Sequence, residues 1–382
     1  MKDKDSLKLI IRIDQEEIVS RSKISRSIKG RKAALKAWET IRRNQRAERS
    51  NFLSVMKLDE LHPERNEEAG LIQINKNPSL KKMRTTYGKQ IVGWFDKTPA
   101  DIGCGRFCEL RWGFGCPLDC NYCYLRGTGR GNMKPRYIRI DHVLMALDDV
   151  FRDPTFNDGK PTIFNTGELA DSWMNPEHMI QIVDKFEEQD KHKVALLTKF
   201  GSDSRMAEFL LKRLRKQTIT AFSINAPEVA RLYEKAAAPP QKRIEAASLL
   251  SKAGYDTRVR IDPIFPIENW KPHYEKLIHM ILDAFEPRKI ILGTPRGLWK
   301  TIVFAKKAGV DMSWTQWFAE DSGWGKKLDH ELRKEVYGFF FDKFDEIGYD
   351  TRTVTICKET SKMWEAMNLP FKPRTCNCYG GT

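Results

Sequence analysis

Residues 107–124 read FCELRWGFGCPLDCNYCY, and the rest of the chain is best read outward from them. The segment opens with a β-rich run, Phe107–Trp112. It then crosses two glycines and delivers three thiols, Cys116, Cys120 and Cys123, within eight residues. Soft thiolates suit zinc or an iron–sulfur cluster, and a loop with this spacing can turn all three sulfurs inward. Three ligands are one short of a closed structural site, so a cluster held here keeps one iron open for a substrate-like ligand. A zinc knuckle shows paired C-x2-C half-sites, whereas the first gap here is three residues. The spacing favours the cluster, and a zinc-stabilised nucleic-acid-binding module stands as the non-enzyme alternative.

Downstream, short β-rich runs recur at Thr162–Asn165, Val194–Thr198, Ile219–Ile224, Thr257–Ile264 and Lys289–Leu292. Amphipathic helical segments separate them: His142–Phe151, Pro176–Gln189, Arg205–Arg215, Pro227–Ala236 with Gln241–Ala253, and His273–Phe285. Strand–helix alternation with apolar strands predicts a parallel sheet covered by helices. About six such units suit an open or complete barrel, with chemistry at the C-terminal ends of the strands. Arg352–Cys357 is a candidate for one further strand.

Upstream, residues 1–50 form a strongly basic extension. Between Ser25 and Ser50, Ala34, Leu35, Trp38 and Ile41 make a thin apolar stripe among lysines and arginines, which predicts a helix. Such a helix either lies along phosphates or packs on the main domain through Trp38. Residues 51–103 carry His62-Pro63, Asn77-Pro78 and Thr98-Pro99 breaks and read as an irregular connection. The main domain then spans 104–370, followed by a cysteine-containing tail, 371–382.

The chain of 382 residues has 66 Lys+Arg against 51 Asp+Glu, a net charge of +15, which points to nucleic acid as the first partner to consider. The N-terminal apolar run is too short and too charged for a signal peptide, and no stretch approaches the ~20 apolar residues of a membrane span. The expectation is a cytoplasmic protein without a membrane partner. Its eight cysteines then sit in a reducing compartment, where clustered thiols mark metal or redox chemistry.

The C-x3-C-x2-C pattern after a first strand resembles the radical S-adenosylmethionine superfamily. Within it, the chain is most similar to the spore photoproduct lyase group of DNA-repair enzymes. The matching features run from about residue 107 to 370. They include Tyr122 and Tyr124 flanking the last cluster cysteine, Leu197-Thr198-Lys199, Ser223-Ile224-Asn225 and Arg260-Ile261-Asp262-Pro263. The resemblance implies a partial (β/α)6 barrel and a [4Fe–4S] cluster on Cys116, Cys120 and Cys123, its open iron chelated by S-adenosylmethionine. It also implies lyase-like or nucleotide-modifying chemistry started by a deoxyadenosyl radical, and a reductant such as flavodoxin or ferredoxin.

Carried over residue by residue, the resemblance puts Gly167-Glu168 at the cofactor's amino group, a contact that a strand-end carboxylate also suits physically. Lys199 and Ser223 fall at strand ends facing the cofactor's carboxylate and ribose, Asn225 is a further cofactor-binding candidate, and Arg260 with Asp262 form a second polar layer. Tyr122 and Tyr124 either line a radical relay or shield the cluster from solvent. One departure stands out: the lyases proper carry a hydrogen-donating cysteine near the second strand, and Phe164–Ser172 contains none. Either a tyrosine or another cysteine donates, or the substrate differs.

Cys357, flanked by Val354-Thr355-Ile356, reads as a core residue of a late strand or as a hydrogen donor inside the barrel. Cys104 and Cys108 with Cys376 and Cys378 have the arithmetic of a second zinc or iron–sulfur site. Trp299, Trp314, Trp317, Phe318 and Trp324 lie among Arg296, Lys300 and Lys326, and either stack bases at a cleft rim or form a lid. The competing enzyme reading keeps the radical chemistry and assigns a peptide or small-molecule substrate.

Overall fold

The computed structural model describes residues 90–369. The expected basic helix, most of the 51–103 connection, and Cys376 and Cys378 lie outside the described residues.

Eight strands form one sheet: β1 (Val92–Phe95), β2 (Phe107–Leu110), β3 (Ile163–Asn165), β4 (Lys193–Thr198), β5 (Thr218–Ser223), β6 (Asp256–Ile261), β7 (Lys289–Leu292) and β8 (Val354–Ile356). Their order in the sheet is their order in the chain. β1 runs antiparallel to β2, and from β2 to β8 every neighbouring pair is parallel. Sequential parallel strands with crossovers of one hand place the intervening helices on one face. The result is an open, partial barrel with β1 and β8 as its outermost strands; among the described residues no closed barrel forms.

The helices are α1 (Leu125–Thr128), α2 (Ile140–Arg152), α3 (Pro176–Phe186), α4 (Arg205–Leu211), α5 (Pro227–Tyr233), α6 (Pro240–Lys252), α7 (Trp270–Leu282), α8 (Trp299–Lys307), α9 (His330–Ile347) and α10 (Ser361–Ala366). Local sequence explains several starts. Asn175 caps α3 by accepting from His178 N at 3.1 Å, Ser204 caps α4 through Ala207 N at 3.2 Å, and Pro227 and Pro240 open α5 and α6.

The two faces of the sheet separate by alternation. Phe164, Val194, Leu196, Phe222, Val259, Ile261 and Leu292 bury against the helices in one large core with Val143, Leu147, Met179 and Ile278. Ile163, Ala195 and Ile219 close a small apolar floor on the opposite face. The strand positions beyond that floor are polar: Glu109, Asn165, Ser223, Arg258, Arg260 and Thr355. Their polar groups need partners or a ligand, and they put the chemistry inside the barrel.

The described part of the 51–103 segment is more regular than the sequence suggested. Val92–Phe95 is the edge strand β1, and Ile102–Gly103 pairs with Glu359–Thr360. α9 and the hairpin Phe318–Ser322/Gly325–Leu328 complete the fold after β7.

Candidate active site at the strand ends

A cavity of about 660 Å³ opens at the C-terminal ends of the strands. Cys116, Cys120 and Cys123 line one side, and Glu168, Lys199, Ser223, Arg260 and Asp262 line the wall formed by successive strand ends.

Local constraints shape the cysteine loop. Gly115 sits at φ +80°, and a β-carbon there would lie 2.5 Å from the Lys134 carbonyl oxygen. Only glycine takes that turn without displacing backbone. Cys116 N then donates to Met133 O at 2.9 Å, and Cys123 N to Cys120 O at 3.2 Å. Arg126, buried in α1, pairs with Asp119 across the loop. Burial pushes all three thiols above the ordinary range, with Asp171 adding to the effect at Cys116 and Glu234 at Cys120. Such thiols ionise when a metal's charge replaces the lost solvation.

Among the described residues no three His, Cys, Asp or Glu side chains converge on a single metal ion. The three thiols border one cavity instead, a donor set that fits a polynuclear iron–sulfur group.

The loop after β3 carries Gly167 and Glu168. A β-carbon on Gly167 would come 2.7 Å from Leu197 Cβ, so glycine lets this loop press against β4. Glu168 Oε2 lies 3.6 Å from Lys358 Nζ, and its backbone carbonyl accepts from the Tyr124 hydroxyl. Asp171, which the sequence reading passed over, locks the same loop to β4. It accepts from Trp173 N at 2.9 Å, Thr198 Oγ1 at 2.8 Å and Lys199 N at 2.8 Å. Its position two residues before Trp173, in the polar stretch after a strand, was the available signal.

Lys199 Nζ donates to Ser223 Oγ at 2.5 Å and to Glu234 Oε1 at 3.0 Å. Glu234 is fully buried and also accepts from Arg243 Nη2 at 2.5 Å and from the Tyr122 hydroxyl. Further round the barrel, Asp262 is gripped by Arg260 (Nη2 at 2.6 Å) and Arg296 (Nη2 at 2.7 Å). Burial opposes its charge, but Arg296 and then Arg260 hold the carboxyl well below the usual carboxylate range. Arg260 Nη2 also lies 3.1 Å from Cys357 Sγ.

The comparisons with known proteins fit this geometry. Residues 109–291 match the family model described as spore photoproduct lyase. Over 183 residues, or 46% of the chain, the sequence is 28% identical to a spore photoproduct lyase of Clostridium acetobutylicum and 29% identical to that of Bacillus subtilis. These alignments cover 52% and 51% of the relatives, so the chain spans about half the length of the curated relatives it matches.

Residues 109–291 are similar in sequence to the spore photoproduct lyases.

The fold agrees. A spore photoproduct lyase complexed with dinucleoside spore photoproduct superposes with a TM-score of 0.54 at 18% identity, covering 65% of this chain and 75% of that one. A doubly substituted spore photoproduct lyase with bound AdoMet and dinucleoside spore photoproduct gives 0.55 at 18% identity, covering 70% and 79%.

The cavity gathers Cys116, Cys120, Cys123, Tyr122, Tyr124, Gly167, Glu168, Lys199, Ser223, Arg260 and Asp262. It does not gather Asn225, which is 1% exposed and committed elsewhere. The Asn225 amide donates to Pro263 O at 2.8 Å and accepts from Tyr274 at 2.9 Å and Ala226 N at 3.0 Å, a structural clasp behind the strand ends. Cys108 belongs to the helix-packed core at 1% exposure, while Cys104 is half-buried with its thiol 3.6 Å from Gly105 O. Trp314 and Trp324 line the cavity, whereas Trp299 is exposed beside its lining neighbour Leu298. No helix among the described residues is long and apolar enough to cross a membrane.

Proposed function

We propose that this chain is a radical S-adenosylmethionine enzyme acting on a nucleic-acid group, with the chemistry of a lyase or nucleotide-modifying enzyme. One observation carries the reading: three thiols with C-x3-C-x2-C spacing share a cavity with Glu168, Lys199 and Ser223 at the strand ends. Cys116, Cys120 and Cys123 hold a [4Fe–4S] cluster, Glu168 takes the cofactor's ammonium, and Lys199 and Ser223 take its carboxylate and ribose. When bound, the cluster and S-adenosylmethionine supply a deoxyadenosyl radical that abstracts hydrogen from the substrate.

The residues of the chain supply placement. The ion pairs of Asp262 with Arg260 and Arg296 fix the far wall, and Trp314 and Trp324 exclude water from it. Cys357 is the candidate that returns a hydrogen atom to the product. It supplies from β8 what the stretch after β3 lacks, with Tyr122 and Tyr124 beside the cluster as the alternative route. A one-electron reductant such as flavodoxin or ferredoxin serves the cluster. The basic net charge of +15 and the lyase names of the relatives support the nucleic-acid substrate.

The test is anaerobic reconstitution followed by dithionite and S-adenosylmethionine. Deoxyadenosine is expected to form and to require each of Cys116, Cys120 and Cys123. Glu168→Ala is expected to weaken cofactor binding while iron content holds. A colourless, zinc-loaded protein from anaerobic purification overturns the enzyme reading. Failure to bind any oligonucleotide at low salt overturns the nucleic-acid part.

A further inference from the structure

Cys357 directly follows β8 with its thiol 3.1 Å from Arg260 Nη2, and continued alternation would send the next side chain to the opposite face. Lys358 does not follow that rule. Its φ of +53° is in the left-handed region, uncommon for a long side chain, and the turn re-aims it into the cavity. The turn is held from both sides. Arg296 Nη1 donates to Cys357 O at 3.0 Å, and the fully buried Lys327 donates to Lys358 O at 3.2 Å.

The Lys358 ammonium stands over three aromatic faces, 4.9 Å from the ring centre of Trp324 and 5.6 Å from those of Phe95 and Phe107. Its one carboxylate, Glu168, is 3.6 Å away, outside hydrogen-bond distance. Among the described residues no acceptor takes any of its three N–H groups. An ammonium in that position, only 14% exposed, is short of an anion. The neighbouring carboxylate on this wall, Asp262, is already committed to Arg260 and Arg296 and leaves nothing for a third cation.

We propose that Lys358 binds a phosphodiester of the nucleic-acid strand, and that cofactor binding frees it to do so; this rests on the assignment of Glu168 to the cofactor's ammonium. Two ammonium groups beside one carboxylate repel each other, and Lys358, outside hydrogen-bond distance of Glu168, is the more loosely held of the two. The arriving cofactor therefore displaces Lys358 from Glu168, and a phosphate restores its counter-charge. Trp324 and Phe95 offer stacking surfaces for an adjoining base, which selects a phosphodiester over a simple carboxylate. The two ligands thus favour each other's binding, reciprocally.

The test uses the full chain, reconstituted anaerobically, and a fluorescein-labelled single-stranded deoxyoligonucleotide read by anisotropy. For the wild type, S-adenosylmethionine is expected to tighten strand binding roughly tenfold. A strand of the same sequence with uncharged methylphosphonate linkages loses that gain. Lys358→Met keeps the apolar stem against the aromatic rings, so thermal unfolding stays near that of the wild type. In that variant the cofactor-dependent gain disappears, equilibrium dialysis still finds cofactor bound, and the slope of log affinity against log salt falls by about 0.7. Lys358→Arg, which keeps the charge, retains part of the gain. A Lys358→Met protein with the gain intact, or a wild type indifferent to the methylphosphonate, overturns this inference alone. A wild type that binds no strand under any condition overturns it together with the nucleic-acid reading.

Discussion

Arg243 Nη2 sits 2.5 Å from Glu234 Oε2, both side chains closed to solvent, and this pair joins the cysteine loop to the Lys199 and Ser223 wall of the cavity. Glu234 follows α5, and its neighbours act as a splint. Asn121 N donates to Tyr233 O at 2.9 Å, Ala236 N to Leu118 O at 3.2 Å, and Ala238 N to Lys199 O at 3.1 Å. Tyr122 from the loop and Lys199 from β4 meet on the same carboxylate. One cation more than the carboxylate needs is present, and Lys199 carries that surplus to the cavity wall, where an anionic group of a cofactor is welcome.

Removing one member of this buried network leaves charge without a partner. Arg243→Met is expected to destabilise the fold by roughly 3–5 kcal/mol. It also strips donors from the Ala238 and Ser223 carbonyls, now bonded at 2.6 and 3.0 Å. Urea unfolding of the metal-free protein measures the loss, and faster amide exchange at Asn121 reports the loosened loop. An unchanged midpoint means that the pair does not carry the structural load assigned to it.

The same carboxylate makes a pH prediction. Burial opposes its charge, but Lys199 and Arg243 outweigh it and bring Glu234 from an ordinary 4.5 to about 2. A depressed carboxyl stabilises the fold fully above its unfolded value and loses that contribution as pH falls through its folded value. Glu234 therefore contributes about 3 kcal/mol near neutrality, lost between about pH 4.5 and 2. Unfolding free energies of wild type and Glu234→Gln are expected to differ at pH 7, to approach each other as pH falls below about 4.5, and to converge only near about pH 2. A gap that stays constant across that window refutes the assignment.

Gly115 and Gly131 allow a paired test of the cysteine loop. Both have positive φ, +80° and +88°, so alanine strains either backbone by about 1 kcal/mol or somewhat more. Only at Gly115 does the added carbon strike backbone, at 2.5 Å from Lys134 O; at Gly131 the nearest atom is a Phe304 ring carbon at 3.5 Å. Gly115→Ala is expected to lose most of its iron on reconstitution while Gly131→Ala keeps it. Iron per chain is the measurement, and equal retention in both variants would show that the loop adapts.

The long elements and the cysteine loop were legible because their signals are local. Thiol spacing is carried by eight residues, and β4, β5 and β6 are each six residues long between strong helical segments. β1 was not legible: four residues are too few for alternation to register, and its identity as a strand comes from pairing with β2. α9 was missed although Asp329 caps it and Gly348 at φ +82° ends it. Gly338 and the run Phe339-Phe340-Phe341 blur the period in its middle. Glu234, Arg243, Asp171 and Lys358 escaped for another reason. Each also acts through partners distant in sequence, as Arg243–Glu234, Asp171–Thr198 and Lys358–Glu168 illustrate, and no spacing rule records such pairs. Asn225 shows the converse, since a strand-end polar residue can be fully occupied in holding a loop.

Cys357 gives the last prediction. Its thiol lies within reach of Arg260 at the end of β8, on the interior side of the sheet, and its backbone is tied to Leu292 O at 2.8 Å and to Arg296 at 3.0 Å. A thiol hydrogen exchanges with solvent, whereas hydrogens bound to carbon do not. If Cys357 returns the hydrogen atom, turnover of the true substrate in D2O places deuterium on the product of the wild type. Cys357→Ala should then cleave S-adenosylmethionine at a near-normal rate with full iron content, yet lose that label and release altered product. Retention of solvent deuterium in Cys357→Ala would move the donor to Tyr124 or Tyr122, which phenylalanine substitution at each would then separate. Both hydroxyls already donate, that of Tyr122 to the Glu234 carboxylate and that of Tyr124 to the neutral Glu168 carbonyl, and Tyr124, with the more weakly held proton, is the one expected to respond.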